Sequence, residues 1–247
     1  PTKPTLPVLL AMAASMPYND LVPGQEQAFA ATPSAPRPHS GYQPSGGLSM
    51  PGLGASPFGY KLAEQFGLKV LPTRAGLVPF TLHKPLLEQL QVLSGVSVPS
   101  TITAQDGTVF RENLLFTHRG LSGPAILQIS SSWRHGQPIA IDFLPDRAPG
   151  WLVEAKRANP RAGLSALLKD ELPARLAAAL VERLAFDGRL ADLADARLRA
   201  AEERLARWTF MPDGTEGFAK AEVTVGGIST AELSSKTMEA KRVPGLY

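Results

Sequence analysis

The stretch Phe116–Ser130, FTHRGLSGPAILQIS, decides how the rest of the chain is read. An apolar run, Leu114-Leu115-Phe116, ends in the polar trio Thr117-His118-Arg119, and Gly120 and Gly123 then permit a tight turn. Ser122 with Pro124 predicts a helix start. Serine is a favoured N-cap, and proline is tolerated in the first turn, where its missing N–H would be unpaired anyway. Ala125, Ile126, Leu127 and Ile129 would bury one side of that helix. A strand feeding a glycine turn and a helix N-terminus gathers free N–H groups and partial positive charge, which is how proteins address an anion or an electron-rich ring. Taken alone, the segment reads first as an ordinary strand–turn–helix corner.

Around this corner, Thr73 to Phe143 consists of short apolar runs separated by turns. The runs are Leu77–Leu82, Val96–Val98, Thr101–Thr103, Thr108–Phe110 and an alternating Ile139–Phe143 with one wet face. Asp106-Gly107 between two of them is a hairpin signal. Such a pattern predicts a small antiparallel sheet or barrel. From Trp151 to Arg207 the character changes to dense charge with leucines on helical spacing. Leu164, Leu167 and Leu168 share one face, and Pro173 separates that helix from the next. In the second helix Leu176, Leu180 and Leu184 fall at i, i+4 and i+8. A third helix is expected after Asp187-Gly188, burying Leu190, Leu193, Leu198, Leu205 and Trp208. Breaks by proline and glycine favour a compact helical subdomain over a coiled coil. Strand character returns over 209–228, with a turn at Glu216-Gly217 and an interruption at Gly226-Gly227.

Three stretches together carry a family resemblance: FTHRGLSGPAILQIS, SGGLSMPGLGASPFGYKLAEQFGL (Ser45–Leu68) and AEVTVGGISTAELSSKTMEAKRVPGLY (Ala221–Tyr247). In that order and spacing they resemble the BaiN-like NAD(P)/FAD-dependent oxidoreductases, bacterial flavoproteins related to bile-acid reductases. The resemblance implies an α+β fold: a small antiparallel barrel-like sheet, of a type also seen in translation factors, with an inserted helical subdomain. Remnants of an FAD-binding Rossmann-type domain would flank it. The implied organisation is an unmatched 1–45, an edge of the FAD-binding domain over 46–72, a barrel-like insert over 73–150 and a helical subdomain over 151–208. A return strand follows over 209–228, and a truncated return to the FAD-binding domain over 229–247. The resemblance also implies hydride transfer between NAD(P)H, FAD and a small organic substrate held between insert and flavin domain. Residues 1–45 hold nine of the 23 prolines and show no periodicity, so disorder is expected there. The resemblance implies a β-strand of the FAD-binding domain running into Gly46-Gly47, where the sequence has Gly41-Tyr42-Gln43-Pro44-Ser45, and on that ground a misjoined reading frame is expected.

Composition narrows the alternatives. Without cysteine the chain has no disulfide, thiolate metal site or cysteine nucleophile, which fits a reducing cytoplasm. No apolar run approaches the roughly 18–20 residues of a membrane span, so no membrane partner is expected. The net charge of +3 is a small basic excess, and the helical charges alternate in sign. That pattern leads to an expectation of no nucleic-acid partner. The alternative, a non-catalytic barrel-type binding module for RNA, would need a basic stripe with exposed aromatics. His39, His83 and His135 lack metal-ligand spacing, and no Ser-His-Asp set, carboxylate pair or phosphate loop stands out.

The implied site residues are few. His118 is the histidine inside a motif, suited to acid–base work near neutral pH, and Arg119 could hold an anionic substrate or a reduced flavin. Against this stand a His118 that only bonds its own turn and an Arg119 that is a solvated charge. Gly46, Gly47, Thr224, Gly226, Gly227 and Ile228 are the implied flavin edge, because glycine lets a backbone approach a flat ring. No G-x-G-x-x-G follows an N-terminal strand, so the pyrophosphate and ribose contacts of FAD have no counterpart in the sequence. The chain alone is therefore expected to be inactive. Purified alone it is also expected to carry no flavin: its absorption spectrum should lack flavin bands, and bands near equimolar FAD would contradict this.

Overall fold

The computed structural model describes residues 47–186 and 188–247. The disorder expected of residues 1–45 and the cofactor role expected of Gly46 fall outside the described residues. The chain divides into two compact units, one spanning Leu77–Glu216 and the other joining the described residues up to Gly76 with Gly217–Tyr247. Each unit has its own apolar core.

The Leu77–Glu216 unit is built on a seven-stranded, wholly antiparallel sheet. Its strands are β2 (Phe80–Thr81), β3 (Ser97–Ala104), β4 (Val109–Phe116), β5 (Gly120–Ser122), β6 (Ile139–Asp142), β7 (Trp208–Phe210) and β8 (Gly214–Thr215). They lie in the order β7-β6-β3-β4-β5-β2-β8. The β3–β4 hairpin closes at Gln105-Asp106-Gly107, where Gly107 takes φ 87° and the Asp106 carboxyl accepts from Thr108 N at 2.9 Å. Val96–Val98 and Thr101–Thr103 are one strand and not two, running through Pro99. Pro99 pairs with Asn113 on β4, whereas pairing to β6 begins only at Thr101. The missing donor therefore falls where β3 still has a free edge, the position proline tolerates.

At the corner the predicted helix is found, but its start is shifted. Ser122 belongs to β5, pairing with Leu115, so the cap falls to Gly123 at φ 89° and α3 runs Pro124–Ser130. Ala125, Ile126 and Ile129 are buried, while Leu127 is half-buried. The turn must be glycine because a Cβ at Gly120 would overlap the Phe80 carbonyl, and one at Gly123 would crowd the Asn113 carbonyl. The C-terminal serines of α3 anchor the chain entering the unit. Ser130 Oγ accepts from Val78 N at 3.0 Å, and Ser131 Oγ accepts from Leu77 N at 3.4 Å. Leu77 itself has φ 46°, so the predicted strand Leu77–Leu82 shrinks to Phe80–Thr81.

Helices fill the unit's other half: α2 (Lys84–Leu90), α4 (Trp151–Ala158), α5 (Leu164–Glu171), α6 (Ala174–Leu184) and α7 (Asp195–Ala206). Leu176, Leu180 and Leu184 form the expected buried stripe on α6, which packs against α5. The third predicted helix begins later than the leucine spacing suggests. Leu190–Asp192 is a 3-10 turn, and Leu193 and Ala194 are extended. Lys156 Nζ, from α4, takes the Leu193 carbonyl at 2.7 Å and the Asp195 carboxyl at 2.8 Å, fixing the break before α7. This lysine also holds the Asp195 carboxyl below its ordinary pKa. Trp208 is buried as expected, but on β7 opposite Ile141.

The second unit contains α1 (Phe58–Gln65), β1 (Val70–Gly76) and β9 (Val223–Ile228). The last two form a separate two-stranded antiparallel sheet. The expected return over 209–228 is thus split between two sheets: β7 and β8 join the seven-stranded sheet and β9 does not. Gly226-Gly227 does not interrupt β9. The strand continues through both residues opposite a bulge between Leu71 and Arg74 of β1. Among the described residues no helix is long and apolar enough to cross a membrane.

A buried carboxyl group ties the helices together. Glu202, on α7 and 8% exposed, accepts from Gly150 N at 2.7 Å and from Leu152 N at 2.6 Å. It caps α4, whose own N-cap is a glycine without a side-chain acceptor. Glu202→Ala should cost roughly 2–4 kcal/mol, since the buried N–H of Leu152 and the half-buried N–H of Gly150 both lose their partner. Urea denaturation measures this, and a loss below about 0.5 kcal/mol would mean that the cap contributes little.

Candidate functional site

The structure gathers Gly47, Thr224, Gly226, Gly227 and Ile228 in the unit formed by residues 47–76 and 217–247. Thr224 is the organiser. Its Oγ1 accepts from Leu48 N at 2.8 Å and from Ser49 N at 3.1 Å, and lies 2.9 Å from Ser49 Oγ. A Cβ at Gly47 would collide with Thr224, so the loop folds tightly against β9 only because Gly47 is glycine. Gly226, at φ 91°, faces the bulge of β1, where an added Cβ would overlap the Pro72 carbonyl. Gly227 lies under the ring of Tyr60, whose Cε1 would be 3.0 Å from an added Cβ. Ile228 pairs with Val70 and joins the unit's core.

Two consequences follow for a ligand at this site. The N–H groups of Leu48 and Ser49 are already used by Thr224, and the Cβ space at all three glycines is filled by the chain itself. Sequence reasoning missed Tyr60, which sits on α1 between Gly47 and Gly227; its hydroxyl is 3.3 Å and 3.4 Å from the two Cβ positions. Partial burial raises the Tyr60 pKa, so this group is a neutral O–H donor across the physiological range. The signal available was Gly59-Tyr60 opening a helix directly after a glycine-rich loop.

His118 and Arg119 belong to the other unit, at the turn between β4 and β5. Thr117, and not His118, holds that turn: its Oγ1 accepts from Arg119 N at 3.2 Å and Gly120 N at 3.1 Å. The His118 side chain is exposed. Arg119 Nη1 is ion-paired with Glu216 at 3.0 Å, its side chain remaining 59% exposed, so it keeps donors towards solvent.

The sequence over residues 74–223 matches a known domain family. The chain belongs to the HI0933-like family: the model of the HI0933-like protein barrel and H2TH domain matches residues 74–223. Over 209 residues it is 61% identical to a ribosomal RNA dihydrouridine synthase of Escherichia coli strain K12, covering 82% of this chain and 51% of the relative. A ribosomal RNA dihydrouridine synthase of Haemophilus influenzae is 47% identical over 205 residues, with the same coverage of 82% and 51%. A 3-dehydro-bile acid delta(4,6)-reductase of Clostridium scindens is 26% identical over 219 residues, covering 82% of this chain and 53% of the relative. The chain spans about half the length of the curated relatives it matches.

The relatives correct one expectation. A chain with no nucleic-acid partner is contradicted by two relatives of high identity that are both enzymes of ribosomal RNA. The expectation failed because it read charge along the sequence. Signs that alternate between neighbours on a helix say little about which charges share a face after folding.

Gly226→Ala tests the geometry of the glycine cluster. Strain at the positive φ, on the order of 1–3 kcal/mol, adds to overlap with Pro72. Amide hydrogen exchange should accelerate in β1 and β9 and stay unchanged in β3 and β4. Unchanged protection of β1 and β9 would contradict the close approach.

Proposed function

We propose that this chain is the barrel-and-helix portion of a flavin-dependent reductase that converts uridine in ribosomal RNA to dihydrouridine. The observation that carries this is the 61% identity to the Escherichia coli synthase across 82% of the chain. Two of the three relatives reported above are named for a product with a saturated uracil ring, and the third for reduction of carbon–carbon double bonds. All three names fit one chemistry, the addition of hydride and proton across an activated C=C. The small-molecule substrate of the BaiN-like resemblance has support only from the 26% relative. Ribosomal RNA is therefore the preferred substrate.

In such a reductase FAD would supply the hydride taken from NAD(P)H. The described glycines form no open cradle of their own, so the flavin-edge role of Gly47, Thr224, Gly226, Gly227 and Ile228 rests on the resemblance alone. No step is assigned through them. The Rossmann-type flanks, over 46–72 and 229–247, stand on the same footing. In this proposal His118, exposed at a turn fixed by Thr117, supplies or relays the proton. Arg119, steadied by Glu216, turns its remaining donors to an RNA phosphate.

The test is genetic and chemical. The gene encoding this chain is deleted, ribosomal RNA is purified and digested, and its nucleosides are measured by mass spectrometry. Dihydrouridine should fall, and return with the intact gene but less with a His118→Ala copy. An unchanged dihydrouridine content would overturn the proposal.

A further inference from the structure

A second feature of the Leu77–Glu216 unit has no place in the glycine cluster or the His118 turn. An open cleft of about 170 Å³ is lined by Arg183, Arg204, Arg207, Trp208 and Thr209. Its volume is several times the roughly 30 Å³ that a water molecule occupies in the liquid. The three arginines come from three places: the last turn of α6, the last turn of α7, and the residue joining α7 to β7. No carboxylate lines the cleft, and none of the ion pairs among the described residues uses these arginines.

Arg183 and Arg204 are also held in place. The Arg183 guanidinium lies over the Trp208 ring, 5.1 Å from its centroid, and Trp208 is itself only 8% exposed. Arg204 Nη2 donates to the Arg183 carbonyl at 3.1 Å, fixing the C-terminus of α6 to α7. One donor of Arg204 is thereby used and its others remain. Cations at helix C-termini complement the helix dipole, which would account for Arg183 and Arg204 individually. It does not account for their convergence with Arg207 on one cleft, where an anion between the three would relieve the repulsion of like charges.

We propose that this cleft is a phosphodiester-binding subsite for single-stranded RNA. Arg204, Arg207 and the Thr209 hydroxyl hold a backbone phosphate, and a neighbouring base stacks on the planar guanidinium of Arg183 on the side away from Trp208. Guanidinium planes and arginine–phosphate contacts are general means by which proteins grip unpaired RNA. The inference rests on the RNA substrate proposed above and assigns part of its binding to these residues.

The test is the salt dependence of RNA binding by the full 247-residue chain. Fluorescence anisotropy with a labelled mixed-sequence single-stranded RNA is recorded across a salt series. The proteins compared are the wild type, Arg207→Gln, Arg183→Gln/Arg207→Gln and Lys84→Gln. Lys84 is a control that removes one charge from the same unit; its side chain is 86% exposed. For single strands the slope of log affinity against log salt changes by about 0.7 per phosphate contact. Arg207→Gln should lower the slope by about that amount, the double variant should also weaken binding at every salt concentration, and Lys84→Gln should leave the slope unchanged. Circular dichroism melting checks that the variants are folded, and Arg207, exposed and outside the core, is the position least able to disturb it. Wild-type binding whose slope is the same in both arginine variants would overturn the subsite and leave the RNA substrate standing. Absence of salt-dependent binding by the wild type would overturn both.

Discussion

The two hydrogen bonds that Glu202 accepts from the start of α4 join α4 to α7, the helices that follow β6 and precede β7 in the Leu77–Glu216 unit. The chain leaves β6, crosses a short loop and enters α4; α7 then returns it to β7, which pairs with β6. A carboxyl group on α7 that satisfies Gly150 and Leu152 closes this circuit. An unmet donor at a buried helix start costs free energy comparable to a lost hydrogen bond. In the same unit, Phe143 packs edge-on against Trp208 at 6.2 Å where β6 pairs with β7. Arg183 and Arg204 descend from the same arrangement, because α7 carries Arg204 to the end of α6 and β7 brings Trp208 beneath Arg183.

Local features were legible in the sequence. Asp106-Gly107 fixes a hairpin because one residue must adopt a left-handed backbone there, and Leu176, Leu180 and Leu184 mark a buried helix face by period alone. The antiparallel sheet and the helical block followed from such signals. What could not be read depends on partners far along the chain. Glu202 looks like one more surface acid until Gly150 is placed beside it. Leucine spacing carried the third helix back to Leu190, since nothing near Leu193 announces that Lys156 will take its carbonyl. Gly226-Gly227 suggested a turn, but the bulge of β1 lets both residues continue a strand.

The site divides along the same line. The motif resemblance selected Gly47, Thr224, Gly226, Gly227 and Ile228, and the fold does bring them together, held by Thr224 and overlaid by Tyr60. Gly47, Gly226 and Gly227 are explained by close packing within the chain, a cause that a motif cannot distinguish from closeness to a cofactor. His118 and Arg119 were chosen as a pair, yet the turn is held by Thr117, and Arg119 is tied to Glu216. The expectation of no nucleic-acid partner, which the two ribosomal RNA relatives contradict, came from charges of both signs that showed no basic stripe along the sequence. Folding sorts them, and Arg183, Arg204 and Arg207 meet although 24 positions separate the first from the last.

The proposed contact with ribosomal RNA lies in the Leu77–Glu216 unit. Ultraviolet cross-linking of the chain to ribosomal RNA, followed by mass spectrometry of the nucleotide-bearing peptides, tests it most directly. Adducts are expected on peptides that contain Trp208 and on those flanking His118. Adducts confined to residues outside 77–216, or none at all, would contradict it.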